Sequence, residues 1–260
     1  MLQSLINFKL SSLVVTFAVL MSASCTSQGQ TTSWNQMDIR ADLYALRNSE
    51  IGANENIPNR NQLLLNEINS FPIKASSERL GGISLEQAQQ LVMDMGRHPV
   101  VGYNQALKYD PESRIGFCFG KAIFAHLELL RRGVSKEAIK KAFIVGPLYS
   151  AGINWQFHVA TIVRANDRNG WYALDAFIGR PVPLEEWLQR FQSYSLDGKA
   201  RMYITNPEKI GPSAWEYNKR PYGLGDGFYN NYFNDMFHFF KQNPIQEYQK
   251  FSVRCHRLLL

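Results

Sequence analysis

The chain has 260 residues, 45% hydrophobic and 13% aromatic, with a net charge of +6. That is enough apolar material for one globular domain with its own core. The basic residues are scattered, Lys136, Lys140 and Lys141 being the one modest cluster, and no zinc-finger spacing or glycine-rich phosphate loop occurs, so the pattern argues for a solvated basic surface and against a nucleic-acid partner. Three cysteines are too few for a disulfide framework.

Residues 1–25 read as an export signal. Lys9 is the positive start, Leu10 to Leu20 is an apolar run, and Ser22-Ala23-Ser24 is a small-residue cleavage motif. The run is short of the ~20 residues a membrane span needs. Cys25 follows directly, then a polar stretch to Ser33. That order resembles a bacterial lipoprotein signal, in which Cys25 is the lipidated residue and anchors the protein to a membrane, although Ser22 stands where an aliphatic residue is usual. Plain secretion is the alternative, and either way the chain is expected to be exported. Residues 26–79 are polar and Asn-rich and read as a linker, an N-terminal cap or a pro-region. Short helices are expected in them at Asp38–Arg47 and Arg60–Asn69. Residues 80–260 form the main domain.

Ser84 and Gln87 have capping-box spacing, and Leu85, Ala88, Val92 and Met95 give the following helix one apolar face, which Gly96 should end. The run Ile115 to Ala125 places Cys118 at the mouth of an apolar helix that continues to about Arg132, with Gly133 as its stop. Ser135 should cap a short helix through Lys141, and Ala142–Val145 reads as a strand broken by Gly146-Pro147. Trp155–Val163 and Trp171–Ile178 are rich in aromatic and β-branched residues and read as a β-hairpin. Pro183 opens a helix over Leu184–Phe191, and Arg201–Thr205 is a strand. A long loop covers residues 206–227. The last helix, Phe228–Lys241, carries Tyr229, Tyr232, Phe233, Met236, Phe237 and Phe240 on one stripe, which reads as core packing rather than a groove wall.

A cysteine at a helix start lies among unpaired N–H groups at the positive end of the dipole, which favours its thiolate. A nucleophilic cysteine also needs a base and a group that orients the base. Of five histidines, His126 is eight residues along the same helix, roughly 12 Å away, and out of reach. His158 and Asp175 are polar residues in otherwise apolar hairpin arms, and each needs a partner. A four-residue loop, Ala165 to Arg168, sets His158 opposite Asp175; a tight turn at Asn169-Gly170 sets them roughly 20 Å apart. Both registers are open from the residues alone. In the first, the face bearing His158, Ala160, Ala173 and Asp175 is expected to border the Cys118 helix, the alanines leaving room for it. No other His or Cys shows metal-ligand spacing, so no metal is expected.

At these residues the chain resembles the bacterial protein-glutaminase family, which deamidates glutamine side chains in proteins. The matching parts are Gly116 to Ala122 around Cys118, Phe143-Ile144-Val145-Gly146-Pro147-Leu148, Trp155-Gln156-Phe157-His158-Val159-Ala160, Leu174-Asp175, and Pro181-Val182 to Trp187. Carried over by position, the family's triad falls on Cys118, His158 and Asp175. The resemblance implies an α+β, papain- or transglutaminase-like fold, with the Cys-bearing helix packed on an antiparallel sheet. It also implies export with a pro-region that covers the site. The chain departs from the family in lacking its several cysteines and in having Ala176-Phe177 after Asp175 where a Pro-containing turn is usual.

The expected activity is therefore hydrolysis of a glutamine carboxamide in a protein or peptide partner, by a monomer, with no cofactor. Cys118's own N–H is the expected oxyanion donor, and Trp155 and Gln156 are positional guesses for substrate contact. Transglutamination or peptide cleavage by the same residues is the nearest rival. A non-catalytic envelope lipoprotein that binds a partner is the rival from another class.

Overall fold

The fold is built outward from one long hairpin. A computed structural model describes residues 55–73, 78–109, 117–209 and 227–243. Strands β1 (Ile139–Ser150) and β2 (Ile153–Arg164) pair antiparallel from Ile139↔Val163 to Ser150↔Ile153. Strands β3 (Trp171–Asp175) and β4 (Arg180–Pro183) extend the sheet beyond β2, and β5 (Arg201–Thr205) extends it beyond β1, giving the order β4-β3-β2-β1-β5. The helices are α1 (Ile57–Ser70), α2 (Leu85–Arg97), α3 (Ala106–Tyr109), α4 (Cys118–Arg131), α5 (Leu184–Ser193) and α6 (Gly227–Gln242). The class is α+β, as expected.

The central strands are apolar on both faces, so both must be covered. Phe143, Val145, Val159, Val163, Tyr172 and Leu174 point to one side, where α2, α4 and α6 complete a core. Ala142, Ile144, Ala160, Ile162, Trp171 and Ala173 point to the other side, where α1 and α5 complete a second core. The period-two side-chain rule and the two helical layers account for this split.

Local signals explain most element ends. The Ser84–Gln87 capping box is formed, and α2 runs one residue past Gly96 to Arg97. Gly133, at φ 86, follows the end of α4. The short helix expected from Ser135 to Lys141 is only a single 3-10 turn, Lys136–Ala138, because β1 already begins at Ile139. Gly146-Pro147 does not end β1 either. The pairing shifts from Val145↔Phe157 to Leu148↔Trp155, so the pair forms a bulge and the strand continues. Gly146 is needed there: a Cβ would come within 3.0 Å of Ala200 Cα. In α6, Tyr232, Phe233 and Met236 are buried in the first core, whereas Phe237 is 45% exposed.

Helix α1 lies within the segment read as a leader, yet it is tied into the second core. Leu65 and Ile68 are buried there. Asn61 donates to Ala200 O at 3.0 Å and accepts from Met202 N at 2.9 Å, and Trp171 Nε1 donates to Ile68 O at 2.9 Å. The expected helix Asp38–Arg47, Cys25, Cys255 and most of the loop 206–227 lie outside the described residues. Among the described residues no helix is long and apolar enough to cross a membrane.

Candidate active site

Cys118 is the first residue of α4 and is partly buried. The preceding Phe117 is buried and stacks on Tyr232 of α6, ring centroids 4.4 Å apart. Gly120 permits that approach, since a Cβ there would lie 2.3 Å from the Tyr232 ring. One turn further on, Ala122 O accepts from Thr161 Oγ1 at 2.5 Å, which fixes α4 along β2. The start of α4 is thus anchored from two sides, and its first N–H groups have no helical partners.

His158 is buried on β2, three residues before Thr161. Its Nε2 lies 2.7 Å from Asp175 Oδ2. The same Oδ2 accepts from Trp187 Nε1 at 2.7 Å, and Oδ1 accepts from Phe177 N at 2.8 Å. Three donors on a buried carboxylate favour its ionised form. The imidazole also stacks on Phe191, 4.3 Å between centroids at 14°, so α5 holds the ring in place. Cys118 is near enough to His158 to favour the charged imidazole. With Nε2 committed to Asp175, Nδ1 is the ring nitrogen left for another partner.

The register differs from both expected ones. Ala165 N donates to Gly170 O, and the paired residues run Arg164↔Trp171, Val163↔Tyr172, Ile162↔Ala173, Thr161↔Leu174. The loop is four residues long but spans Asn166–Asn169 rather than Ala165–Arg168. The cause is outside the hairpin. Ile83 bridges Ala165, donating to Arg164 O and accepting from Asn166 N, and so extends the ladder by one residue on each arm. Continued, this register sets Asp175 opposite Ala160, so His158 and Asp175 meet diagonally. Diagonal neighbours are within reach of long side chains.

The expected layering is also corrected. The face bearing His158, Ala160, Ala173 and Asp175 does not border α4. It packs on α5 and α1, and the alanines make room for Trp187 and Phe191. Helix α4 lies on the opposite face. Cys118 packs against that first core, and β3 ends at Asp175, its last pairing with β2 being Thr161↔Leu174.

The electrostatics follow from this geometry. Burial opposes a charge on His158, but the Asp175 carboxylate, its hydrogen bond and Cys118 outweigh it and raise the imidazole to about 10. Burial likewise opposes ionisation of Asp175, and His158, Trp187 and the Phe177 N–H outweigh it, so its carboxyl is held below the usual range. The pair therefore favours the charged imidazole beside an ionised carboxylate. Trp155, half-buried, has its ring 6.3 Å from His158 and stands edge-on to Phe177 at 5.1 Å. Gln156 is partly buried on β2. His126 is buried within α4, and burial lowers it to about 3. Among the described residues no group of His, Cys, Asp or Glu is arranged to hold a metal ion.

Trp187 and Phe191 were not singled out as site residues by sequence reasoning. Their four-residue spacing on an amphipathic helix was visible, but equally suited plain core packing.

No family model matches the chain, and no curated protein sequence matches it. Among solved structures it is similar to a mutant of pro-protein-glutaminase, with 16% identity, 56% of each chain covered and a TM-score of 0.39. It is also similar to the NMR structure of protein-glutaminase from Chryseobacterium proteolyticum, with 16% identity, 48% of this chain and 74% of that chain covered, and a TM-score of 0.36. The chain spans about half the length of the first of these structures.

Proposed function

We propose that the chain is a thiol amidohydrolase that converts glutamine side chains of proteins or peptides to glutamate, releasing ammonia. The observation that carries the chemistry is the buried His158–Asp175 pair, 2.7 Å apart, with Cys118 near enough to favour charge on the imidazole. The choice of glutamine comes from the sequence motifs around Cys118, His158 and Asp175. A papain- or transglutaminase-like arrangement is part of the same proposal.

In the proposed reaction the Cys118 sulfur attacks the carboxamide carbon, and the carbonyl oxygen becomes an oxyanion facing the N–H groups at the start of α4. His158 gives its proton to the departing nitrogen, which leaves as ammonia, and a thioester remains. His158, now neutral, takes a proton from water. The resulting hydroxide attacks the thioester carbon, the C–S bond breaks, and glutamate is released with the thiolate restored. Asp175 holds the imidazole with Nδ1 toward sulfur throughout and stays ionised. These steps need no cofactor. Trp155 and Gln156, beside His158 on β2, are the proposed substrate contacts.

The same chemistry with a lysine amine in place of water is transglutamination. Ammonia release measured beside amine incorporation on a glutamine-rich protein separates the two. We further propose export through residues 1–25, with Cys25 as a lipid anchor. Palmitate labelling that depends on Cys25 supports the anchor, and an unprocessed chain in the cytoplasm contradicts export.

A further inference from the structure

We infer that Tyr109 and Asp235 are positioning residues of this site: the hydrogen bond between them closes a clasp on α6 that fixes the start of α4, and Cys118 with it. The inference rests on Cys118 being the nucleophile.

The start of α4 lacks the usual polar cap. Phe117 stands at the N-cap position and makes no side-chain capping hydrogen bond. Aromatic packing takes that role. The Phe117 ring stacks on Tyr232 of α6, centroids 4.4 Å apart at 17°. Tyr109 of α3 stands edge-on to both, its ring 6.3 Å from Phe117 and 5.2 Å from Tyr232. All three side chains are buried. Among the described residues the Tyr232 hydroxyl has no hydrogen-bond partner, so that ring is held by its neighbours alone.

Tyr109 is tied at its polar end. Its hydroxyl donates to Asp235 Oδ2 at 2.8 Å, and Lys108 Nζ donates to the same oxygen at 3.0 Å. The lysine is exposed, so its ion pair adds little. Asp235 follows Tyr232 by three residues, so the two share one side of α6. The contacts therefore form a closed circuit, from α6 through Tyr232 to Phe117, on to Tyr109, and through Asp235 back to α6. The chain leaves α3 at Tyr109 and enters α4 after Phe117, so both ends of that connection are fixed to one helix. The fit has no slack, because a Cβ at Gly120 would lie 2.3 Å from the Tyr232 ring. A shift of Tyr232 thus shifts or frees the first turn of α4. A nucleophile displaced by about 1 Å can lose on the order of a hundredfold in rate.

The test is steady-state ammonia release together with amide hydrogen exchange, both on the full chain. Tyr109→Phe keeps the ring and removes the donor, Asp235→Ala removes the acceptor, and Asp235→Asn keeps an accepting oxygen. The first two are expected to lower kcat about tenfold with KM within about twofold of the parent. Asp235→Asn should recover most of that loss, and Tyr109→Phe with Asp235→Ala should cost no more than either alone. A purely structural role would lower the melting temperature and leave kcat of the folded protein unchanged. Exchange needs no activity: the peptide Phe117–Ala125 should exchange faster in both variants, with peptides from β1 and β2 as in the parent. Tyr109→Phe carries the comparison if Asp235→Ala does not fold. Unchanged kcat or unchanged exchange in the folded variants overturns the inference while leaving the nucleophile in place. A parent that releases no ammonia contradicts the proposed reaction, and parental exchange of Phe117–Ala125 in the variants then overturns the clasp on its own.

Discussion

Asp175→Asn replaces a carboxylate at the point where three donors converge. Oδ2 accepts from His158 Nε2 and Trp187 Nε1, and Oδ1 accepts from Phe177 N. An amide has one accepting oxygen, so its NH2 must face either the Phe177 N–H or the His158–Trp187 pair. Losing one hydrogen bond to a charged acceptor costs about 1.5–3 kcal/mol. The lost charge has a larger effect on pH dependence. His158 rises from 6.5 to about 10, and 10 − 6.5 corresponds to an upper bound of about 5 kcal/mol. Its folded value is raised, so this stability is fully present below pH 6.5 and is lost as pH climbs to about 10. The Asp175 value is depressed, so its contribution is present above 3.8 and is lost as pH falls through the folded value. Urea unfolding of the parent at pH 6, 8 and 10 should therefore show falling stability. Asp175→Asn should stay folded at pH 6, since domains have about 5–15 kcal/mol in hand. It should show little of that slope and lose most of its activity. An Asn variant with the parental slope would refute the coupling of the two groups.

Further outcomes follow from the supporting residues. Trp187→Phe keeps a ring in the second core but removes a donor to Asp175 Oδ2, and should cost about tenfold in kcat/KM for ammonia release, roughly 1.4 kcal/mol, with the fold intact by circular dichroism. A chain beginning at Leu80 strips Leu65 and Ile68 from the second core, about 1.5–3 kcal/mol each, together with both Asn61 hydrogen bonds. It should melt well below a chain beginning at Glu55, by differential scanning calorimetry. Equal melting would show that α1 is dispensable and that a removable leader can extend past it.

Much of the frame was legible in the residues. Strand β5 has the bounds its Arg201–Thr205 pattern indicates, and the Ser84–Gln87 box and Gly133 mark the helix ends they should. The two polar residues buried in apolar strands, His158 and Asp175, did turn out to be partners. What was not legible depended on tertiary neighbours. Alternation shows that His158 and Ala160 share a face, but not which layer covers it. Small residues such as Ala160 and Ala173 fit a helix backbone or the rings of Trp187 and Phe191 equally well. The hairpin register turned on Ile83, distant in sequence, which keeps Ala165 in the ladder. Gly146-Pro147 signals interruption locally, yet pairing on both sides of it carries β1 through as a bulge.

The central claim is that Cys118 performs carboxamide hydrolysis. Its most direct measurement is ammonia release from a glutamine-rich protein by the parent and by Cys118→Ala, with amine incorporation followed in the same reaction. The parent should release ammonia with matching gain of glutamate and little amine incorporated, and folded Cys118→Ala should release none above background. Full ammonia release by Cys118→Ala, or a parent that releases none from any glutamine-bearing substrate offered, contradicts the account.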